Sequence, residues 1–223
     1  MTSKIDAPSE GAWTFDNQSV AKGFDAHVRE QLPWYEMATA AVVNIARHYI
    51  PQDGRVYDVG ASTGNVGRAI APILAERNAH FTAIEKSKEM ASQYAAPYGN
   101  LVVADAIGFP YEPFDLGVVF LSTIFMPITE RAGFLKDFHA RLNTGGAIVV
   151  VERMEAGNGY PATISSRLTL ANKLASGATP DEIIAKELSL SGVQRPLRVS
   201  ELPAQPVEFF RMGDFAGYIM EAD

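Results

Sequence analysis

Asp58-Val-Gly-Ala-Ser-Thr-Gly64 follows the apolar run Arg55-Val-Tyr-Asp-Val59 and leads into the helical pattern Val66 to Arg77. A short strand, a glycine turn and a helix starting over that turn form the nucleotide-binding unit of open α/β sheets. Gly60 and Gly64 allow tight turning and close approach of backbone to a ligand, and the following helix points its positive end at the same place. Alone, such a stretch also serves as a plain strand-to-helix turn. Its surroundings decide.

Working outward, the alternation continues on both sides. Upstream, Ser19 to Tyr49 carries a helical pattern interrupted at Pro33 and stopped by Pro51 and Gly54. Downstream, His80 to Glu85 reads as a strand, Ser87 to Ala95 as a helix and Asn100 to Ala104 as a strand. The apolar run Phe114 to Ser122 suits a strand covered on both faces. Glu130 to Leu142 is an amphipathic helix closed by Asn143-Thr-Gly-Gly146, and Ala147 to Glu152 is a fifth strand. Strands alternating with helices imply a parallel sheet with right-handed crossovers. After Glu152 the rhythm breaks. Two helices are expected near Ala162 to Leu174 and Pro180 to Leu190, then a hairpin from Pro206 to Phe210 and Phe215 to Met220 around Gly213-Asp214. Residues 1–12 read as a flexible tail and 13–223 as a single domain, with 154–200 a helical insertion or lid.

Composition narrows the function. The chain has 223 residues, 47% hydrophobic and 20% charged, ordinary for a globular protein. Nineteen basic residues against 26 acidic give a net charge of −7, so a nucleic-acid partner is not favoured. There are no cysteines, which excludes disulfides, thiolate metal ligands and a cysteine nucleophile. The histidines lack ligand spacing, so no metal site is expected. No Gly-x-Ser-x-Gly elbow supports hydrolase chemistry. Met1 to Gly11 lacks the apolar core of a signal peptide, and no stretch is long enough to span a membrane. A cytoplasmic protein is the expectation.

Glu85 ends the second strand about 20 residues past the loop, where a carboxylate can accept from both ribose hydroxyls. That pair would also serve NAD. However, position 62 is Ser and position 65 is Asn, so the loop departs from Gly-x-Gly-x-x-Gly, the pyrophosphate fingerprint. Asp58 ahead of the loop suits instead a methionine-bearing nucleoside with a free amino group. At this point the residues resemble the class I S-adenosylmethionine (SAM)-dependent methyltransferase family over 55–152. The resemblance implies a Rossmann-like, seven-stranded, mostly parallel sheet with an antiparallel final strand. It gives Asp58 the organising of the loop and the methionine end, Glu85 the ribose, and Asp105 with Ala106 the adenine, and it counts Gly60, Ala61, Ser62, Gly64 and Lys86 among the cofactor-binding residues. Phe120, Leu121 and Ser122 would line the pocket near the sulfonium.

A closer likeness extends outside that core. Phe15-Asp16, Val20-Ala21, Phe24-Asp25, Val28 and Pro33-Trp-Tyr35 are similar to the N-terminal region of the carboxy-SAM synthase branch. So are Ala83-Ile-Glu-Lys-Ser87 with Met90, the Pro127 to Arg131 turn and Phe209 to Ile219. That resemblance places Tyr35 over the cofactor and suggests a homodimer packed through the insertion. The branch holds its product's extra carboxylate with an arginine, but the matching stretch here is Lys186-Glu-Leu188. Its strand-four asparagine is matched by Leu121. These departures favour plain methyl transfer to a small-molecule acceptor over carboxy-SAM synthesis, with a non-catalytic SAM-binding module as a further alternative. Methyl transfer needs positioning and exclusion of water more than a catalytic side chain, so the catalytic residue stays open. His27 is the histidine nearest to a base role; His48, His80 and His139 suit surface or packing roles. Glu152, Arg153 and Tyr160 could line an acceptor site, and Trp13, Phe15, Phe24 and Trp34 could lid it or cap the core.

Overall fold

The strands read from the sequence become β1 (Arg55–Val59), β2 (His80–Glu85), β3 (Asn100–Val103), β4 (Phe114–Phe120) and β5 (Leu142–Arg153), all mutually parallel. In this computed structural model, which describes residues 14–222, β6 (Val207–Met212) and β7 (Phe215–Glu221) complete one sheet. Its order is β3-β2-β1-β4-β5-β7-β6, and β7 alone runs opposite to the other six strands. The tail expected over 1–12, and Trp13, lie outside the described residues.

Successive side chains of a strand point to opposite faces, so each central strand feeds two cores. Val56, Leu116, Val118, Val149 and Val151 pack under one helical layer, formed by α1 (Gln18–Gln31), α2 (Tyr35–Tyr49) and α3 (Asn65–Glu76). Tyr57, Val59, Val119, Ile148 and Val150 pack under the other, where α5 (Ile128–His139) contributes Phe134, Leu135 and Phe138. Each such buried side chain is worth about 1.5–3 kcal/mol against exposure. Pro33 separates α1 from α2, because a proline disfavours helical backbone before it and lacks the N–H the helix needs. The strand order reverses between β1 and β4, which opens a crevice at their carboxyl ends.

Two elements differ from the sequence reading. The helix expected over 87–95 is only α4 (Lys88–Ala91), capped by the Ser87 side chain. Past Ser92 the bonds shorten to three-residue turns, Gln93 N to the Met90 carbonyl and Tyr94 N to the Ala91 carbonyl, before the Ala95 N–H leaves for the Thr63 carbonyl of the glycine loop at 3.2 Å. The strand expected from Ala147 begins at Leu142, which pairs with Phe114 before an irregularity in register. Asn143 is held there by the Asp115 carboxylate at 2.9 Å, so the residues read as a helix stop already belong to β5.

Beyond β5, α6 (Tyr160–Ala175) and α7 (Pro180–Ser189) pack together, the second opened by a capping box of Thr179 and Glu182. A single parallel bridge, Met154 to Leu197, ties the ends of this segment. No helix among the described residues is long and apolar enough to cross a membrane.

Candidate functional site

The crevice at the switch point is a cavity of about 490 Å³. Its floor is built by the turn after β1. Gly60 (φ 71) and Ser62 (φ 53) turn it through the left-handed region. The N–H groups of Gly60 and Ala61 both donate to the Ile84 carbonyl, at 2.9 and 3.0 Å, which pins the loop to β2. Glu85 secures it further. One carboxylate oxygen accepts from Ser62 N and the other from Ser87 N, each at 2.8 Å. Those bonds pull the Glu85 pKa down, but burial outweighs them and leaves it raised overall.

Asp58 is 1% exposed and its Oδ2 has no hydrogen-bond partner. Burial, then the charge of Glu85, pushes its pKa up to about 8. A buried carboxylate without a partner is costly, and a cation supplied by a ligand relieves the cost. The hydroxyl oxygens of Ser62 and Ser122, on the same cavity, are also buried without a partner. Together these groups fit a ligand that brings a positive charge and N–H or O–H donors.

Of the expected site residues, Tyr35, Asp58, Gly60, Ala61, Ser62, Glu85, Lys86, Asp105, Ala106, Phe120, Leu121 and Ser122 all line this cavity. Gly64 does not. It caps α3 with φ 92 and faces the Tyr94 ring, so its conformation shapes the turn from behind. Lys86 pairs with Asp105 at 2.6 Å, which raises the lysine pKa. Tyr35 is buried with its ring edge against Phe120 and the Arg29 guanidinium over its face. Phe15, Asp16 and Phe24 also reach the cavity wall, and Ser87 Oγ donates to the Phe15 carbonyl. Asp25 of α1 binds Thr63 and Arg68, tying that helix to the loop.

The residues suggested for an acceptor site or a base lie elsewhere. His27 does not line the cavity; burial, Lys186 and Lys173 lower its pKa to about 4. Tyr160 is 68% exposed on α6. Arg153 binds Glu187 and Gln194. Glu152 is fully buried behind the turn that follows β4. Trp34 packs against Phe210 and Phe215, capping the core. Val193, Ile107 and Glu130 line the cavity without having been singled out. Val193 follows α7 in a segment with no motif, so only the fold reveals it. Among the described residues no group of three or more His, Asp or Glu could hold a metal ion.

No protein-family model matches the chain. It is 30% identical over 194 residues to the carboxy-S-adenosyl-L-methionine synthase of Staphylococcus epidermidis, covering 85% of this chain and 84% of that one. The chain belongs to the carboxy-SAM synthase branch of the class I SAM-dependent methyltransferase family. A second member of the branch, from Psychrobacter arcticus, is 28% identical, over 81% of this chain and 75% of its own. Solved structures share the family fold. A Methanococcus maripaludis chain assigned as a SAM-dependent methyltransferase superposes with TM-score 0.55 at 16% identity, covering 95% of this chain and 96% of that one. Human N-acetylserotonin methyltransferase, in complex with SAM, gives TM-score 0.55 at 10% identity over 91% of this chain and 54% of its own.

Proposed function

We propose that the protein binds SAM and transfers its methyl group to a small-molecule acceptor. The carrying observation is Asp58, 1% exposed with its Oδ2 unpartnered on the wall of the crevice at the switch point. When bound, the sulfonium supplies an already activated methyl group. Asp58 holds the amino group of the methionine end, with the backbone of Gly60, Ala61 and Ser62 beside it. Glu85, its loop bonds already made, offers its remaining lone pairs to the ribose hydroxyls. Asp105 and Ala106 flank the adenine, and Tyr35 covers the site from α2. Phe120, Leu121 and Ser122 wall the reacting end and exclude water. None of the four histidines lines the cavity, so the acceptor reaches it as a nucleophile that needs no histidine base.

The charge of the cavity lining supports methyl transfer over the branch's named reaction. The cavity is lined by the acidic side chains of Asp16, Asp58, Glu85, Asp105 and Glu130. Among the described residues, the one cationic side chain on it is Lys86, which is spent on Asp105. A cofactor carrying an extra carboxylate would lack a counter-charge there. Carboxy-SAM synthesis stands as the second reading, favoured by the names of the curated relatives. The protein acts in the cytoplasm, consistent with its lack of cysteine. It pairs with a second copy through α6 and α7, where Ile164, Leu168, Ile184 and Leu188 are exposed.

Calorimetric titration tests the cofactor. SAM should bind, and Glu85→Ala should weaken it by about tenfold or more. Absence of binding would remove the reading. Mass spectrometry of nucleoside co-purified with the protein tests the chemistry: a mass raised by one carboxylate would replace methyl transfer with the second reading.

A further inference from the structure

Glu152 has no place on the cavity, yet its side chain governs one of the cavity walls. It is the penultimate residue of β5 and is fully buried. Its Oε1 accepts three hydrogen bonds, from Ser122 N at 2.8 Å, Thr123 N at 2.7 Å and Thr123 Oγ1 at 2.7 Å. These donors belong to the turn after β4, immediately past Leu121. Leu121 has φ 55, a left-handed conformation that a branched, non-glycine residue rarely adopts. Such a conformation persists only where its surroundings over-determine it. Glu152 supplies that constraint from the neighbouring strand, together with the bond from Leu121 N to the Val151 carbonyl at 2.8 Å.

The turn in question meets the cofactor loop directly. A Cβ on Gly60 would lie 2.4 Å from the Ser122 Cβ, so the two loops are in van der Waals contact across the crevice. Phe120, Leu121 and Ser122 line the cavity, as do Phe125 and Met126 just beyond. Behind Glu152, the charged group acting on it is Arg131 of α5, itself buried and held by Glu201 and by the carbonyls of Arg195 and Pro196.

We propose that Glu152 is a positioning residue for the cofactor site: its carboxylate is a strut that fixes the Leu121–Thr123 turn against Gly60. The role rests on the cofactor reading above for its effect on binding, but its effect on the turn is independent of any ligand. Removal of the strut frees Leu121 to relax, the Ser122 wall shifts, and the crevice loses its preformed width. Conservation of the acceptor oxygen matters more than the negative charge, because all three partners are donors to one atom.

The test combines hydrogen exchange of the peptide spanning 120–126 with calorimetric SAM titration on the full chain. Glu152→Ala should keep the wild-type far-UV spectrum, expose the Ser122 and Thr123 amides to exchange about tenfold faster or more, and weaken SAM by a similar factor. Glu152→Gln, whose amide oxygen can accept the same three bonds, should restore both quantities to within about threefold of wild type. Thr123→Val is isosteric and removes one donor. It covers the case in which the alanine variant does not fold, with an expected loss of about threefold. Wild-type exchange and affinity in the folded Ala or Val variants would overturn the strut, and so would a Gln variant as impaired as Ala. Faster exchange with no SAM binding by any form, wild type included, would support the strut while defeating the cofactor reading.

Discussion

Replacing Asp58 by Asn should make the protein more stable and less able to bind. In the fold, burial and Glu85 raise the Asp58 pKa from 3.8 to about 8. A group whose folded pKa is raised stabilises the fold only while protonated. Its contribution is therefore complete below pH 3.8, declines as pH rises towards about 8, and is flat beyond. At 1.36 kcal/mol per pH unit, the lost stability reaches about 4 kcal/mol at pH 7. Water entering the cavity relieves part of that penalty, and Asn keeps the shape without the charge. Asp58→Asn should thus gain about 1–3 kcal/mol at pH 8, several degrees in Tm for a chain of this size. On the proposed cofactor reading, the same change removes the anion that would face the ligand's ammonium, so SAM affinity should fall by about tenfold or more. Wild-type affinity should also weaken as pH drops below 8, by up to about tenfold per pH unit, because binding must expel the proton from Asp58. Differential scanning fluorimetry with and without SAM, and calorimetry from pH 6 to 9, read all three effects. A variant less stable than wild type at pH 8, or one with wild-type affinity, would refute the reasoning.

Gly60→Ala should both strain the backbone, at φ 71, and drive a Cβ into Ser122 at 2.4 Å. A loss of about 1–3 kcal/mol in urea unfolding is expected, together with loss of measurable SAM binding. Leu188 is 69% exposed on α7. Leu188→Glu should convert a dimer to a monomer in light scattering while leaving the far-UV spectrum and SAM affinity unchanged; a wild-type chain that is monomeric at high concentration would rule out that interface.

The parallel strands and the glycine turn were legible because their signals are local. A strand buried on both faces is an apolar run, and a left-handed turn asks for glycine in a known place. Glu85 was legible for the same reason, through its spacing from the loop. Glu152 was not. At the carboxyl end of β5 it sits where ligand-binding residues cluster, but its side chain turns onto β4's following turn. Which way it turns depends on a neighbouring strand some thirty residues earlier in the chain. Arg131 was hidden in the same manner. It occupies an amphipathic helix, where an arginine normally faces water, yet it is 1% exposed because Glu201 and two carbonyls, 64 to 70 residues on, receive it. His27 faced a similar reversal, since burial depresses it most and the lysines that add to the effect come from the insertion. Long-range polar pairs carry no periodicity, and periodicity is what a single chain displays.

The sheet order has a consequence for how the protein is made. The strand occupying the slot between β5 and β6 is β7, residues 215–221, so β5 gains its second neighbour only after some sixty further residues have been made. Until it arrives, the long apolar run of β5 presents an open edge with unpaired backbone groups, the form most prone to join another nascent chain. Assembly on the ribosome must wait for almost the whole described chain, and loss of the final hairpin would be punished by aggregation before any effect on the crevice, on the other side of β4, could be felt.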